Sequence, residues 1–324
     1  MAQAPSTTIP SWRAAGLRYF AHNFYLRQRF GGRVQRVSLD AGFTCPNADG
    51  TVATGGCSFC DNRSFSPSRR LPKATITAQL DRGIRGLHRR YGDCIGYVAY
   101  FQPATNTYAA VDRLRPLFEE AIAHPQVVGL AIGTRSDCVG SAVLDLLEEL
   151  AGRTFLSVEY GMQTMHDRSL EWMNRGHDHA SSVDAVERGR DRGFSICAHV
   201  ILGLPDESLD DMVETAQEIT RLGLDAVKIH NLYAVPNTRL AEEVESGDVQ
   251  LMSQDEYVTA LVAFLEHLSP ACVIERTHGE APPEYFLGPA WCLDKNAVRA
   301  AIDAELAQRD TWQGLTLEKR DTES

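Results

Sequence analysis

Three cysteines, Cys45, Cys57 and Cys60, lie in a glycine-rich stretch with the spacing C-x11-C-x2-C, and Phe59 precedes the last of them. Thiolates so placed hold metal, yet a closed structural zinc site takes four ligands, usually as two short pairs. Three thiolates on an iron-sulfur cluster instead leave one iron open to another molecule. The triplet therefore predicts Cys45, Cys57 and Cys60 as ligands of an open, reactive centre. The competing reading is a zinc knuckle completed by a distant histidine, in an RNA-binding module without catalysis. An iron-containing brown protein on one side and a colourless zinc protein on the other separate the two.

Such a loop needs a scaffold that presents it. Apolar, β-rich runs recur at 34–39, 95–101, 127–132, 155–160, 194–202 and 226–230, each followed by a stretch with helical spacing. Short strands alternating with amphipathic helices predict a parallel sheet with right-handed crossovers. The clearest helix follows the fifth strand: Ser208 and Asp211 form a capping box, Leu209, Met212, Val213, Ala216, Ile219 and Leu222 mark one face, and Gly223 ends it. The oversized connection is the one after the first strand, which carries the cysteines. In a β/α barrel the loops at the carboxyl ends of the strands share one mouth, so the cysteines open onto the ends of the other strands. The barrel is expected to give way near Pro236, which divides the chain into an N-terminal extension (1–30), a barrel (31–240) and a C-terminal cap and tail (241–324). The tail after Gln308 is read as frayed.

The chain has 324 residues with an apolar share of 44%, enough for a full core in one barrel domain. Residues 1–10 have neither a charged n-region nor an apolar h-region, and no later stretch is long enough to cross a bilayer. A cytoplasmic protein with no membrane partner is expected, and eight cysteines fit a reducing compartment. Of the other five, only Cys292 is considered for the active site. The net charge of −11 is unevenly spread: residues 1–90 hold fourteen Lys and Arg against four acids, about +10, which leaves about −21 for the rest. Arg63, Arg69, Arg70 and Lys73 follow the cysteine loop, and Arg82, Arg85, Arg89 and Arg90 sit on the next predicted helix. This is either a surface for a phosphate-rich partner or a solvated helix face.

The cysteine loop and the phrases Val37-Ser-Leu-Asp-Ala-Gly-Phe-Thr-Cys-Pro-Asn, Tyr100-Phe-Gln, Thr105-Asn-Thr-Tyr, Ile132-Gly-Thr-Arg, Asn174-Arg-Gly-His and Leu202-Gly-Leu-Pro resemble the radical S-adenosylmethionine (radical SAM) superfamily. Within it they resemble the YhcC/YtqA-like branch, related to the elongator catalytic subunit. The likeness runs from about residue 30 to about residue 295. The usual superfamily spacing is C-x3-C-x2-C, so the long first gap is a departure. The resemblance implies a partial (β/α)6 barrel with a C-terminal cap, a 4Fe-4S cluster on the three cysteines, and SAM chelated at the fourth iron. It also implies cleavage of SAM to a 5'-deoxyadenosyl radical and a reducing partner such as flavodoxin or ferredoxin. With the basic first quarter, it suggests tRNA as substrate, with a wobble uridine as the target; a small-molecule or cofactor precursor is the alternative.

The same resemblance proposes SAM contacts. Phe59 matches the aromatic of the family motif. The family's Gly-Gly-Glu type motif is missing after the second strand, where Gln102 and Thr105 stand as candidates for the SAM amine, or for bonds within a turn. Arg135 could form a fork to the SAM carboxylate, or pair locally with Asp137. Glu159 and Gln163 are assigned to the SAM ribose, Arg175 to the SAM carboxylate, and His199 takes a place where relatives carry an aspartate. Lys228, His230 and Asn231 end the sixth strand and point at the mouth. His177 and His179 are spaced like a metal pair but more simply cap a helix.

Overall fold

The computed structural model describes residues 10–323. The polar stretch 1–9 and residue 324 lie outside the described residues. Seven parallel strands form one sheet in sequential order: β1 (Val34–Leu39), β2 (Gly96–Phe101), β3 (Val127–Thr134), β4 (Phe155–Gln163), β5 (Ser195–Leu202), β6 (Ala226–Asn231) and β7 (Val273–Arg276). β1 and β7 do not pair, so the curved sheet is a partial barrel, open between its edge strands.

Side chains alternate along each strand. Val37, Leu39, Tyr97, Ala99 and Phe101 join the apolar core beneath the helices, whereas Val34, Val98 and Tyr100 belong to a separate apolar cluster inside the sheet. Helix Leu209–Leu222 forms as its sequence predicts: the Ser208–Asp211 capping box is present and Gly223 ends the helix in the left-handed conformation.

The structure departs from the sequence expectation in its closing elements. The strand count is seven rather than six, because Val273–Arg276, placed in the cap by sequence, pairs with β6. Four residues with a charged end carry too little alternation to announce a strand. The segment from Phe20 to Phe30 is also part of the barrel. Ile274 donates its N–H to the Phe20 carbonyl at 2.8 Å, and helix His22–Phe30 places Leu26 against Val34, Val98 and Ala131. That helix plugs the inside of the sheet. The segment after Gln308 is tied down rather than frayed. Buried Gln313 donates to the carbonyls of Ser269 (2.6 Å) and Cys272 (2.8 Å) and accepts from Phe20 N–H (2.9 Å), and helix Leu315–Glu323 follows.

Candidate active site at the carboxyl ends of the strands

The loop between β1 and the short helix Asn62–Phe65 carries the three cysteines. Its eleven-residue gap folds back as a small hairpin, with an antiparallel bridge between Asp49 and Thr54 and the Gly50 N–H on the Ala53 carbonyl. The hairpin returns the chain, so Cys45 and Cys57 line the same cavity as Cys60. All three thiols are free of disulfides. Burial, then the neighbouring sulfurs of Cys57 and Cys45, push the Cys60 thiol far above its ordinary range. A bound cation at this wall would favour the Cys60 thiolate against that burial. A single tetrahedral zinc would draw its sulfurs to within about 4 Å of one another. Among the described residues the set with all ligand atoms within 4.8 Å is His166, Asp211 and Glu214, not the cysteines.

Two donors face Cys57. Asn47 Nδ2 and Arg175 Nη1 each approach its sulfur at 3.4 Å. Asn47 also donates to the Asn174 carbonyl, and Asn174 returns a bond to Gly56 O at 2.9 Å, which clamps the hairpin to the loop after helix Asp167–Trp172. Asn47 was not singled out from sequence, although it follows Cys45-Pro directly.

The other sequence candidates line the same cavity, but several have their polar groups engaged. Arg135 is buried and bidentate on Asp137 (2.8 and 2.7 Å), with Nη1 on the Arg175 carbonyl at 2.7 Å. The local pair is formed, and the fork orients the Arg175 loop rather than facing outward. Gln102 accepts from Ser38 of β1 and donates to the Phe65 carbonyl, so its amide ties β2 to the first strand and the end of the cysteine loop. Gln163 stands at an irregularity in β4 with φ 71°. Phe59 packs against the cluster of Leu170, Met173 and Ile201.

Glu159 is held from several sides. It is 1% exposed, and its carboxylate meets Arg36 Nη1 at 2.7 Å, His199 Nε2 at 2.9 Å and the Lys228 ammonium. Arg36 and Lys228 also reach Glu275, at 2.6 and 3.4 Å. Residues from β1, β4, β5, β6 and β7 thus meet in one charged layer across the inside of the sheet. Burial alone would raise the Glu159 carboxyl, but Lys228 and Arg36 hold it well below its usual range. Burial and Lys228 keep His199 neutral by lowering its pKa. Both oxygens of Glu159 are engaged by residues of the barrel interior, which gives it a structural role there.

Two further expectations resolve geometrically. His177 and His179 point apart: His179 Nε2 meets Glu218 at 2.8 Å, while His177 Nδ1 meets the Asp178 carbonyl. Cys292 is fully buried against Asn231 Nδ2 at 2.9 Å and lies outside the cavity lining.

Residues 50–219 match the family model "Radical SAM superfamily" and residues 224–308 match "Radical_SAM C-terminal domain". The chain belongs to the radical SAM superfamily. Cys57 and Cys60 fall within the first match and Cys45 just before it, where the hairpin lengthens the usual gap. Among curated relatives, the uncharacterized protein YtqA of Bacillus subtilis is 39% identical, with 95% of each chain covered. Protein YhcC of Escherichia coli is 35% identical over 90% of this chain and 93% of its own. A tRNA uridine(34) acetyltransferase of Methanocaldococcus jannaschii is 25% identical over 47% of this chain and 28% of its own. The archaeal Methanocaldococcus infernus Elp3 structure shares the fold, with a TM-score of 0.67 at 15% identity, covering 86% of this chain and 64% of that one.

As a radical SAM enzyme, the protein uses a 4Fe-4S cluster and SAM and requires a reductant. The zinc-stabilised binding module is set aside. The three cysteines line one cavity, and Arg175 Nη1 stands 3.4 Å from the Cys57 sulfur. No helix among the described residues is long and apolar enough to cross a membrane.

Proposed function

We propose that this radical SAM enzyme modifies tRNA in the cytoplasm, acting on a wobble uridine, with electrons from a flavodoxin or ferredoxin. When bound, the cluster supplies the electron that cleaves SAM. The protein's part is to hold the cluster loop, orient SAM and shield the cavity from water. The partial likeness to a tRNA uridine(34) acetyltransferase supports the substrate class.

The observation that carries the reading is the basic face of helix Ile76–Tyr91. Arg82, Arg85 and Arg89 recur at helical spacing, and neither they nor Lys73 has an ion-pair partner among the described residues. This face follows the cluster loop in sequence, in a chain of net charge −11. Surplus cations with no carboxylate to meet attract phosphate. Arg63 and Arg69 are different, paired with Asp61 and Asp40 respectively, and Arg70 binds the Arg63 carbonyl. They hold the loop and are poor choices for charge reversal.

The test measures tRNA binding against salt, together with tRNA nucleosides from a deletion strain and its parent. Each phosphate contact contributes about 0.9 to the logarithmic salt slope. Arg82→Glu with Arg85→Glu is expected to flatten the slope by about 2 while SAM cleavage without substrate persists. Identical nucleoside profiles in the two strains would overturn the substrate class and direct the search to small molecules.

A further inference from the structure

β7 carries a bulge with consequences for the substrate. Val227 of β6 is registered with Ile274, but the next residue, Lys228, is registered with Arg276, so Glu275 is an extra residue in β7. Regular alternation would send Glu275 and Arg276 to opposite faces of the sheet. The bulge removes that opposition, and bulges commonly re-aim a side chain beside a functional site. Glu275 joins the interior layer through Arg36 and Lys228, and Arg276, level with Lys228, also lines the cavity.

The charges of that interior are balanced without Arg276. Arg36 and Lys228 face Glu159 and Glu275, two of each sign. The Arg276 side chain is exposed and has no hydrogen bond or ion pair with any described residue. Beside it in the lining stands His230, whose Nε2 is inaccessible to water and has no hydrogen-bond partner. The wall behind them is fixed. The Gly279 N–H donates to Asn231 Oδ1 at 2.9 Å, and the Tyr257 hydroxyl donates to the Thr277 carbonyl at 2.5 Å. A Cβ on Gly279 would meet the Tyr233 ring at 3.0 Å and His230 Nδ1 at 3.1 Å, so this turn packs closely against the cavity wall.

We propose that Arg276 is an anion-binding subsite of the cavity that receives a phosphate or carboxylate group of the substrate. The planar guanidinium fork suits either group in bidentate geometry. Burial and then Arg276 push His230 well below its ordinary range, so the imidazole beside the guanidinium adds no competing charge. The subsite rests on the radical SAM reading of this cavity and not on tRNA as substrate.

The test uses cluster-reconstituted, SAM-loaded protein and calorimetric binding of two probe pairs, uridine 5'-monophosphate against uridine and succinate against succinamide. At least a tenfold preference for one anion over its neutral counterpart is expected, and the preferred pair tells phosphate from carboxylate. Arg276→Gln should abolish the preference, Arg276→Lys should retain part of it as a point charge, and Arg299→Gln on the exposed face of helix Lys295–Gln308 should leave it unchanged. Circular dichroism and iron content check that each variant is folded and loaded. A missing preference in both pairs, or one that survives Arg276→Gln, overturns the subsite. A confirmed preference with unaltered tRNA nucleosides would leave the subsite standing and remove only the tRNA substrate.

Discussion

Arg175 Nη2 donates to the Gly161 carbonyl over 2.7 Å, and a Cβ built on Gly161 would stand 2.5 Å from that same nitrogen. The arginine that faces the Cys57 sulfur is therefore seated on a strand position where an added Cβ would displace it. Gly161→Ala should push the guanidinium away from Cys57 and lower the yield of reconstituted cluster while the melting temperature stays near that of the parent. Arg175→Met should do the same. Because both act through one contact, the double variant should be no worse than the more damaging single one. Iron content and the electron paramagnetic resonance spectrum of the reduced cluster provide the readout, and additive losses would disconnect the two residues.

The hairpin of the cluster loop predicts equal roles for the three cysteines despite the unequal gaps. Cys45→Ser, Cys57→Ser and Cys60→Ser should each lose most of the iron and SAM cleavage. Far-UV circular dichroism should stay unchanged, since the loop lies outside the sheet. Cys45 is the informative case because it precedes the segment that matches the superfamily. A Cys45→Ser protein with full iron and SAM cleavage would reassign the third ligand.

The parts of this molecule that were legible in sequence are those with local signals. The six long strands, the capping box at Ser208 and the cysteine triplet each announce themselves within a few residues. β7 did not, since a four-residue strand acquires its identity from its neighbour β6 and from Phe20, far away in the chain. The same holds for Glu159. Its strand-end position suggested a ligand for SAM, but Arg36, Lys228 and Glu275, which fix its role, arrive from three other strands. Gln313 looked like part of a tail because its three partners are remote in sequence.

Glu159→Ala should therefore act first on stability. Removing it leaves Arg36 and Lys228 facing Glu275 alone in a buried layer, and breaking a buried pair of this kind costs about 3–5 kcal/mol. The urea midpoint of the cluster-free protein should fall accordingly. Glu159→Gln, which keeps the shape but not the charge, should be nearly as damaging. An unchanged midpoint combined with weakened SAM binding would instead return Glu159 to the SAM site.

His22, at the start of the plugging helix, connects the charged layer to pH. Its two ring nitrogens are buried without hydrogen-bond partners, and Nδ1 lies 3.6 Å from Glu275. Burial and then Arg36 lower its pKa from 6.5 to about 4, against the pull of Glu275. At pH 7 the ring is neutral in both folded and unfolded chains. Between pH 6.5 and 4 the unfolded chain takes up a proton that the folded one refuses, so stability falls as the pH is lowered through that window. The loss from this one residue approaches about 3 kcal/mol at the acid end. His22→Phe should be close to neutral at pH 7.5, since it removes two unsatisfied buried nitrogens along with their ring. Relative to the parent it should become progressively stabilising towards pH 4. Urea titrations of both cluster-free proteins at half-unit pH steps give the difference curve. A difference independent of pH across that window would show that His22 titrates alike in the folded and unfolded chains.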